Sequence, residues 1–78
     1  MNKPTVAITM GDPAGIGPEI VARVLGEAEV RASCNPVVIG DPKILASAIE
    51  LLGSRLSLRT VSTPRGAGAD PSTLDIIP

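Results

Sequence analysis

The sequence predicts an α/β fold built on a mainly parallel sheet, in the order β-α-β-α-β. Three observations carry that reading. Short β-branched apolar runs alternate with stripes at helical spacing, as in Thr5–Thr9 followed by Ile20, Val21, Val24 and Leu25. Each stripe opens on a proline, Pro18 or Pro42, which suits the first helical position where the missing N–H costs nothing. The strand-to-strand spacing leaves room for crossover helices, so the strands run parallel with right-handed connections.

Thr5-Val6-Ala7-Ile8-Thr9 reads as a buried strand closed by a Gly/Pro cluster. Gly11 to Gly17 is a loop, and a helix begins at Pro18. Ile20, Val21, Val24, Leu25 and Ala28 form its apolar stripe, opposite Glu19, Arg23 and Glu27, which recur every four residues and can pair. Gly26 ends that helix, and Glu27 to Ser33 forms a further short turn. Pro36-Val37-Val38-Ile39-Gly40 is a second buried strand. Asp41 caps a second helix with Ile44, Leu45, Ala48, Ile49 and Leu52 inside, Lys43, Ser47 and Glu50 outside, and Gly53 as its stop. Leu56 to Val61 alternates as a half-exposed third strand. Residues 62–72 are rich in Pro, Gly and Ser and read as a loop or linker. Leu74-Asp75-Ile76-Ile77-Pro78 starts another strand, and Ile76-Ile77 is expected to lie unpaired.

Composition narrows the function. The chain has 78 residues, no Phe, Tyr or Trp, one cysteine and no histidine. A chain this short buries only about 60–65% of its unfolded surface, so its core is thin. Cys34 has no internal disulfide partner, and the commonest zinc ligand is missing. Seven Lys+Arg against eight Asp+Glu, with no basic cluster and no stacking rings, argue against nucleic acid. The apolar run before Gly11 is too short for a secretory signal or a membrane span, so a reduced, cytoplasmic setting is expected. Two helices cannot cover both faces of a parallel sheet. Residues 1–78 are therefore expected to be an incomplete N-terminal part of a larger α/β domain, marginal or aggregation-prone by itself.

The informative feature is Thr9-Met10-Gly11-Asp12-Pro13-Ala14-Gly15-Ile16-Gly17-Pro18-Glu19, between strand and helix. Glycines permit positive φ and close approach to a ligand, a helix N-terminus offers N–H groups to an anion, and ligands of open α/β sheets gather beyond the carboxyl ends of strands. Gly11, Asp12, Gly15 and Gly17 are thus the candidate cofactor-binding residues. Each has a plainer reading: the glycines shape a turn, and Asp12 bonds loop N–H groups. Glu19 complements the helix dipole, Asp41 is an N-cap before it is a ribose ligand, and Cys34 is a small buried filler. Arg55, Arg59 and Arg65 could reach a phosphate but read more simply as solvated charges. The dinucleotide G-x-G-x-x-G fails on spacing, and the P-loop lacks its Lys-Ser/Thr. The G-x-x-x-G-x-G spacing of short-chain dehydrogenases matches, though Pro13 and Pro18 stiffen the loop unusually.

The stretch from Val6 to Val24, with Gly-Asp-Pro-Ala-Gly-Ile-Gly-Pro-Glu at its centre, resembles the N-terminus of the 4-hydroxythreonine-4-phosphate dehydrogenase family of vitamin B6 biosynthesis. Asn35–Asp41 and Leu74–Pro78 are similar to that family's following strands. Isocitrate and isopropylmalate dehydrogenases carry a related loop without the Pro13-Ala14 insertion. The resemblance implies a two-domain isocitrate/isopropylmalate dehydrogenase-like fold and a homodimer. It also implies NAD or NADP, and a divalent metal (Zn, Mg or Co) bound by residues outside this chain. The implied reaction oxidises the secondary alcohol of a phosphorylated small-molecule substrate, 4-phosphohydroxy-L-threonine, with decarboxylation to an amino-ketone phosphate. Relatives acting on four-carbon sugar-acid phosphates or aromatic cis-dihydrodiols are alternatives, and a non-catalytic nucleotide-binding module is the alternative of another class. No catalytic or metal-binding residue is assigned within the chain, and the segment alone is expected to be inactive.

Overall fold

The computed structural model describes residues 3–10 and 17–78. The elements run β1 (Thr5–Thr9), α1 (Pro18–Val24), α2 (Ala28–Ser33), β2 (Asn35–Ile39), α3 (Pro42–Leu51), β3 (Ser57–Thr60) and β4 (Thr73–Ile77). The four strands form one sheet in the order β1-β2-β4-β3, with every neighbouring pair parallel.

Local chemistry accounts for the helices. Asp41 accepts a hydrogen bond from the Lys43 N–H at 2.9 Å, and Pro42 follows it in the first turn of α3. Leu52 caps the other end, and Gly53 continues with φ +65°, the left-handed conformation that glycine adopts without strain. The expected short turn after Gly26 is the separate helix α2. Helix α1 is turned relative to the predicted stripe. Val21, Ala22 and Leu25 are buried, whereas Ile20 and Val24, expected inside, face outward beside β1.

Helices α1 and α3 cover one face of the sheet. Val38, Leu74 and Ile76 meet Val21, Leu25, Leu45, Ala48 and Ile49 in a single core, and Met10 closes one end. Alternation along each strand sends Val37, Asp75 and Arg59 to the opposite face.

The order of the strands corrects one expectation. Ile76-Ile77 is not left unpaired: β4 inserts between β2 and β3 and becomes a central strand, with Ile76 fully buried. The chain steps from β1 to β2 and on to β3 in one direction, then back to β4. A right-handed crossover for the backward step must pass over the face opposite the helices. Residues 61–72 do so as an irregular segment whose Ala67 and Gly68 are buried, Gly68 against the backbone of Asn35 and Pro36. The second face is thus partly covered by irregular chain.

Candidate functional site

The strand-to-helix junction is the candidate site, and its described parts lie at the carboxyl ends of β1 and β2. The Met10 N–H donates to the Ile39 carbonyl at 3.0 Å, which ties the exit of β1 to the end of β2. Gly40 lies against Met10: a β-carbon there would stand 3.0 Å from Met10 Cε and 3.2 Å from its Cβ. The chain therefore leaves the sheet at a fixed point.

Gly11, Asp12 and Gly15 lie outside the described residues. Gly17 is described, as the N-cap of α1, with φ −68° and ψ 155° and its carbonyl accepting the Val21 N–H at 3.0 Å. That backbone is open to any residue, and a β-carbon on Gly17 would meet no described atom within 4 Å. Among the described residues nothing steric calls for glycine here. It does leave the first turn of α1 without a side-chain cap.

Beside this turn, Pro18, Glu19, Lys43, Ile44, Ser47, Ala48 and Leu51 line an open groove of about 380 Å³ between α1 and α3. Glu19 and Lys43 bring opposite charges to it, while Ile44, Ala48 and Leu51 make it largely apolar. Among the described residues no three His, Cys, Asp or Glu side chains come together in a way that could hold a metal ion.

Asp41 is committed to capping α3. Cys34 is half-buried rather than buried, and its thiol donates to the Val30 carbonyl at 3.6 Å. Arg55 and Arg65 are exposed. Arg59 is not a free solvated charge: its Nε and Nη2 donate to both oxygens of Asp75, at 2.9 and 2.7 Å.

Asp75, Arg31 and Gly68 escaped the sequence reading, and together they fasten the 61–72 crossover. Burial pushes the Asp75 carboxyl up. Hydrogen bonds from Arg59 and the Gly68 N–H, with the charges of Arg59 and Arg31, outweigh that push and hold it below the usual carboxylate range. The Gly68 N–H reaches Asp75 Oδ2 at 2.8 Å. Arg31, a residue only 4% exposed, donates guanidinium N–H groups to the carbonyls of Leu25, Gly68, Asp70 and Thr73. Asp70 is held below its ordinary range by hydrogen bonds from the Ser72 hydroxyl and N–H. The one sequence signal for this cluster was a carboxylate, Asp75, set inside the apolar run Leu74–Ile77, since buried charges demand partners.

The fold and the junction define a parallel-sheet α/β segment with its candidate ligand-binding loop at the carboxyl ends of the strands. No family model matches the chain. Individual relatives do. The 4-hydroxythreonine-4-phosphate dehydrogenase of Desulforapulum autotrophicum is 43% identical over 77 residues, covering 99% of this chain and 23% of its own length. The D-threonate 4-phosphate dehydrogenase of Cupriavidus necator is 46% identical over 74 residues, or 95% of this chain and 22% of its own. The crystal structure of a 4-hydroxythreonine-4-phosphate dehydrogenase from Burkholderia phymatum superposes with a TM-score of 0.86 at 39% identity, covering 99% of this chain and 23% of that one. The corresponding enzyme from Klebsiella pneumoniae gives 0.72 at 40% identity, over 97% and 23% of the two chains. This chain is homologous, along essentially its whole length, to a segment of the 4-hydroxythreonine-4-phosphate dehydrogenase family, and spans about 23% of the relatives it matches.

Proposed function

We propose that the chain is the N-terminal segment of a dehydrogenase that oxidises the secondary alcohol of 4-phosphohydroxy-L-threonine, with decarboxylation to an amino-ketone phosphate. The observation that carries this reading is the TM-score of 0.86 at 39% identity, over 99% of the chain, to a structure bearing that enzyme name. A second reading, oxidation of a four-carbon sugar-acid phosphate, is favoured by the 46% identity to the D-threonate 4-phosphate dehydrogenase. The two differ in substrate and not in the role of this segment.

The contribution of these residues is positional. The sheet fixes the exit of β1 through Met10 and Gly40, and α1 presents an uncapped first turn after Gly17. Gly11, Asp12, Gly15 and Gly17 are proposed to contact NAD or NADP there, which their placement between strand end and helix start supports. Chemistry from outside the segment would be supplied by the nicotinamide as hydride acceptor and by a divalent metal as Lewis acid. The metal is proposed to be held entirely by residues beyond this chain, which has no histidine. A cytoplasmic homodimer is the proposed setting. No helix among the described residues is long and apolar enough to cross a membrane.

The test is the intact mass of the product in its native source, followed by assay. The expected result is a polypeptide about four times the length of this segment, since the chain covers 23% of its relatives. It should reduce NAD or NADP with 4-phosphohydroxy-L-threonine or D-threonate 4-phosphate, and lose that activity on chelation. A native product of 7.9 kDa without turnover would remove the enzyme reading in favour of a non-catalytic nucleotide-binding module.

A further inference from the structure

We infer that Gly40 is a positioning residue for the bound cofactor: its missing side chain leaves the space in which Met10 seats, and so sets where the glycine loop leaves the sheet. The inference rests on the reading above that Gly11, Asp12, Gly15 and Gly17 contact NAD or NADP.

Three strand ends are held level by one repeated bond. Thr9, Ile39 and Ile77 are in register across β1, β2 and β4. One residue further on, the Met10 N–H donates to the Ile39 carbonyl at 3.0 Å, and the Gly40 N–H donates to the Ile77 carbonyl at 3.1 Å. Met10 and Gly40 are therefore neighbours just past the ends of their strands, at the edge where ligands of open α/β sheets gather. By alternation along β1 and β2 they belong, with Ile8 and Val38, to the face that α1 and α3 cover.

Glycine at position 40 answers to Met10 and not to its own backbone. The positive-φ glycines among the described residues are Gly53, Gly66 and Gly68. A β-carbon on Gly40, however, would stand 3.0 Å from Met10 Cε, 3.2 Å from Met10 Cβ and 3.4 Å from the Met10 carbonyl oxygen. The Cε lies at the end of a flexible side chain and can swing aside. The Cβ and the carbonyl oxygen cannot, because the backbone carries them.

Position 40 has no room to retreat. Its N–H is tied to Ile77, and the next residue, Asp41, caps α3 through the Lys43 N–H at 2.9 Å. A methyl group at 40 must therefore push the Met10 backbone by a few tenths of an ångström, and Gly11 is the next residue along it. A 1 Å misplacement costs about a hundredfold, so a shift of this size is worth about three- to tenfold. It falls on cofactor binding, which raises KM for the cofactor and spares kcat.

The experiment makes Gly40→Ala in the native polypeptide that carries residues 1–78 and measures steady-state kinetics with NAD or NADP and the phosphorylated substrate. The expected result is a cofactor KM raised about three- to tenfold, with kcat and the substrate KM within twofold of their original values. An unchanged cofactor KM, or an equal rise in the substrate KM, would overturn the inference. Ile49→Val removes a buried methyl from the same core and supplies the structural control. It should lower the melting temperature and leave the cofactor KM alone, and a matching rise there would also count against positioning. Met10→Gly takes away the two closest contact atoms, so in that background Gly40→Ala should change the cofactor KM by less than twofold. Equal effects in both backgrounds would show that the two positions act independently and defeat the inference. Should Gly40→Ala fail to fold, Met10→Ala decides the matter: it removes the side chain seated against Gly40 and should raise the cofactor KM selectively, and an unchanged value overturns the inference. An unmutated native polypeptide without turnover would remove the dehydrogenase reading, and with it the cofactor to be positioned. A working enzyme whose cofactor KM is indifferent to Gly40→Ala would defeat the positioning role and leave that reading standing.

Discussion

Replacing Gly68 by alanine should be among the most damaging single-methyl changes in this chain, and Gly66 in the same segment provides its control. Gly66 and Gly68 have φ of +74° and +76°. Alanine at either costs about 1–2 kcal/mol for the left-handed conformation. At Gly66 the new β-carbon meets nothing within 4 Å. At Gly68 it would stand 2.5 Å from both Asn35 C and Pro36 O, and 2.7 Å from Pro36 N, so it collides with the backbone of a central strand that cannot yield. The crossover must lift instead. Lifting breaks the 2.8 Å bond from the Gly68 N–H to Asp75 and leaves a buried donor unmet, at about 1–3 kcal/mol. The expected totals are about 1–2 kcal/mol for Gly66→Ala and about 2–5 kcal/mol for Gly68→Ala, against roughly 0.05–0.15 kcal/mol of stability per residue. With a urea dependence of about 1 kcal/mol per molar, Gly66→Ala made in the longer polypeptide should lower the midpoint in far-UV circular dichroism by about 1–2 M, while Gly68→Ala lowers it by about 2–5 M or removes the folded baseline. Equal shifts for the two variants would refute the close approach of the crossover to β2.

Three further outcomes follow from the same fastening. Arg31→Met should cost about 3 kcal/mol or more in urea titration, because the buried carbonyls of Leu25 and Gly68 and the part-buried carbonyl of Thr73 lose the Arg31 donor, and Arg31→Lys should recover little of it, since an ammonium cannot reproduce the planar fork. Asp75 has a folded-state pKa below its unfolded value, so the stability it contributes is complete above about pH 4 and is lost as pH falls through the lower folded value. Asp75→Asn should remove that part of the acid dependence, and an unaltered pH profile of the urea midpoint would contradict the assignment. The segment on its own, with no aromatic residue and an open β1 edge, should be marginal or aggregation-prone, and a sharp cooperative thermal transition of a monomer would show otherwise.

What the amino-acid sequence determined by itself is local. The β-branched runs at Thr5–Thr9 and Pro36–Ile39, the Asp41-Pro42 start and Gly53 stop of α3, and the irregular 62–72 segment follow from propensity, capping and turn chemistry between near neighbours. The resemblance centred on the glycine loop was legible for the same reason, being one continuous string. Its site residues were legible only as candidates, since Gly11, Asp12 and Gly15 fall outside the described residues and Gly17 has an ordinary backbone. The tertiary structure alone decided where β4 goes, which half of the α1 stripe is buried, and that Arg31 and Asp75 are held inside. Arg31 meets its carbonyl partners up to 42 residues away, and Asp75 meets Arg59 across 16 residues and a strand boundary. Such pairings depend on strand order, which a right-handed crossover sets when the chain doubles back, and no short window of sequence records that reversal.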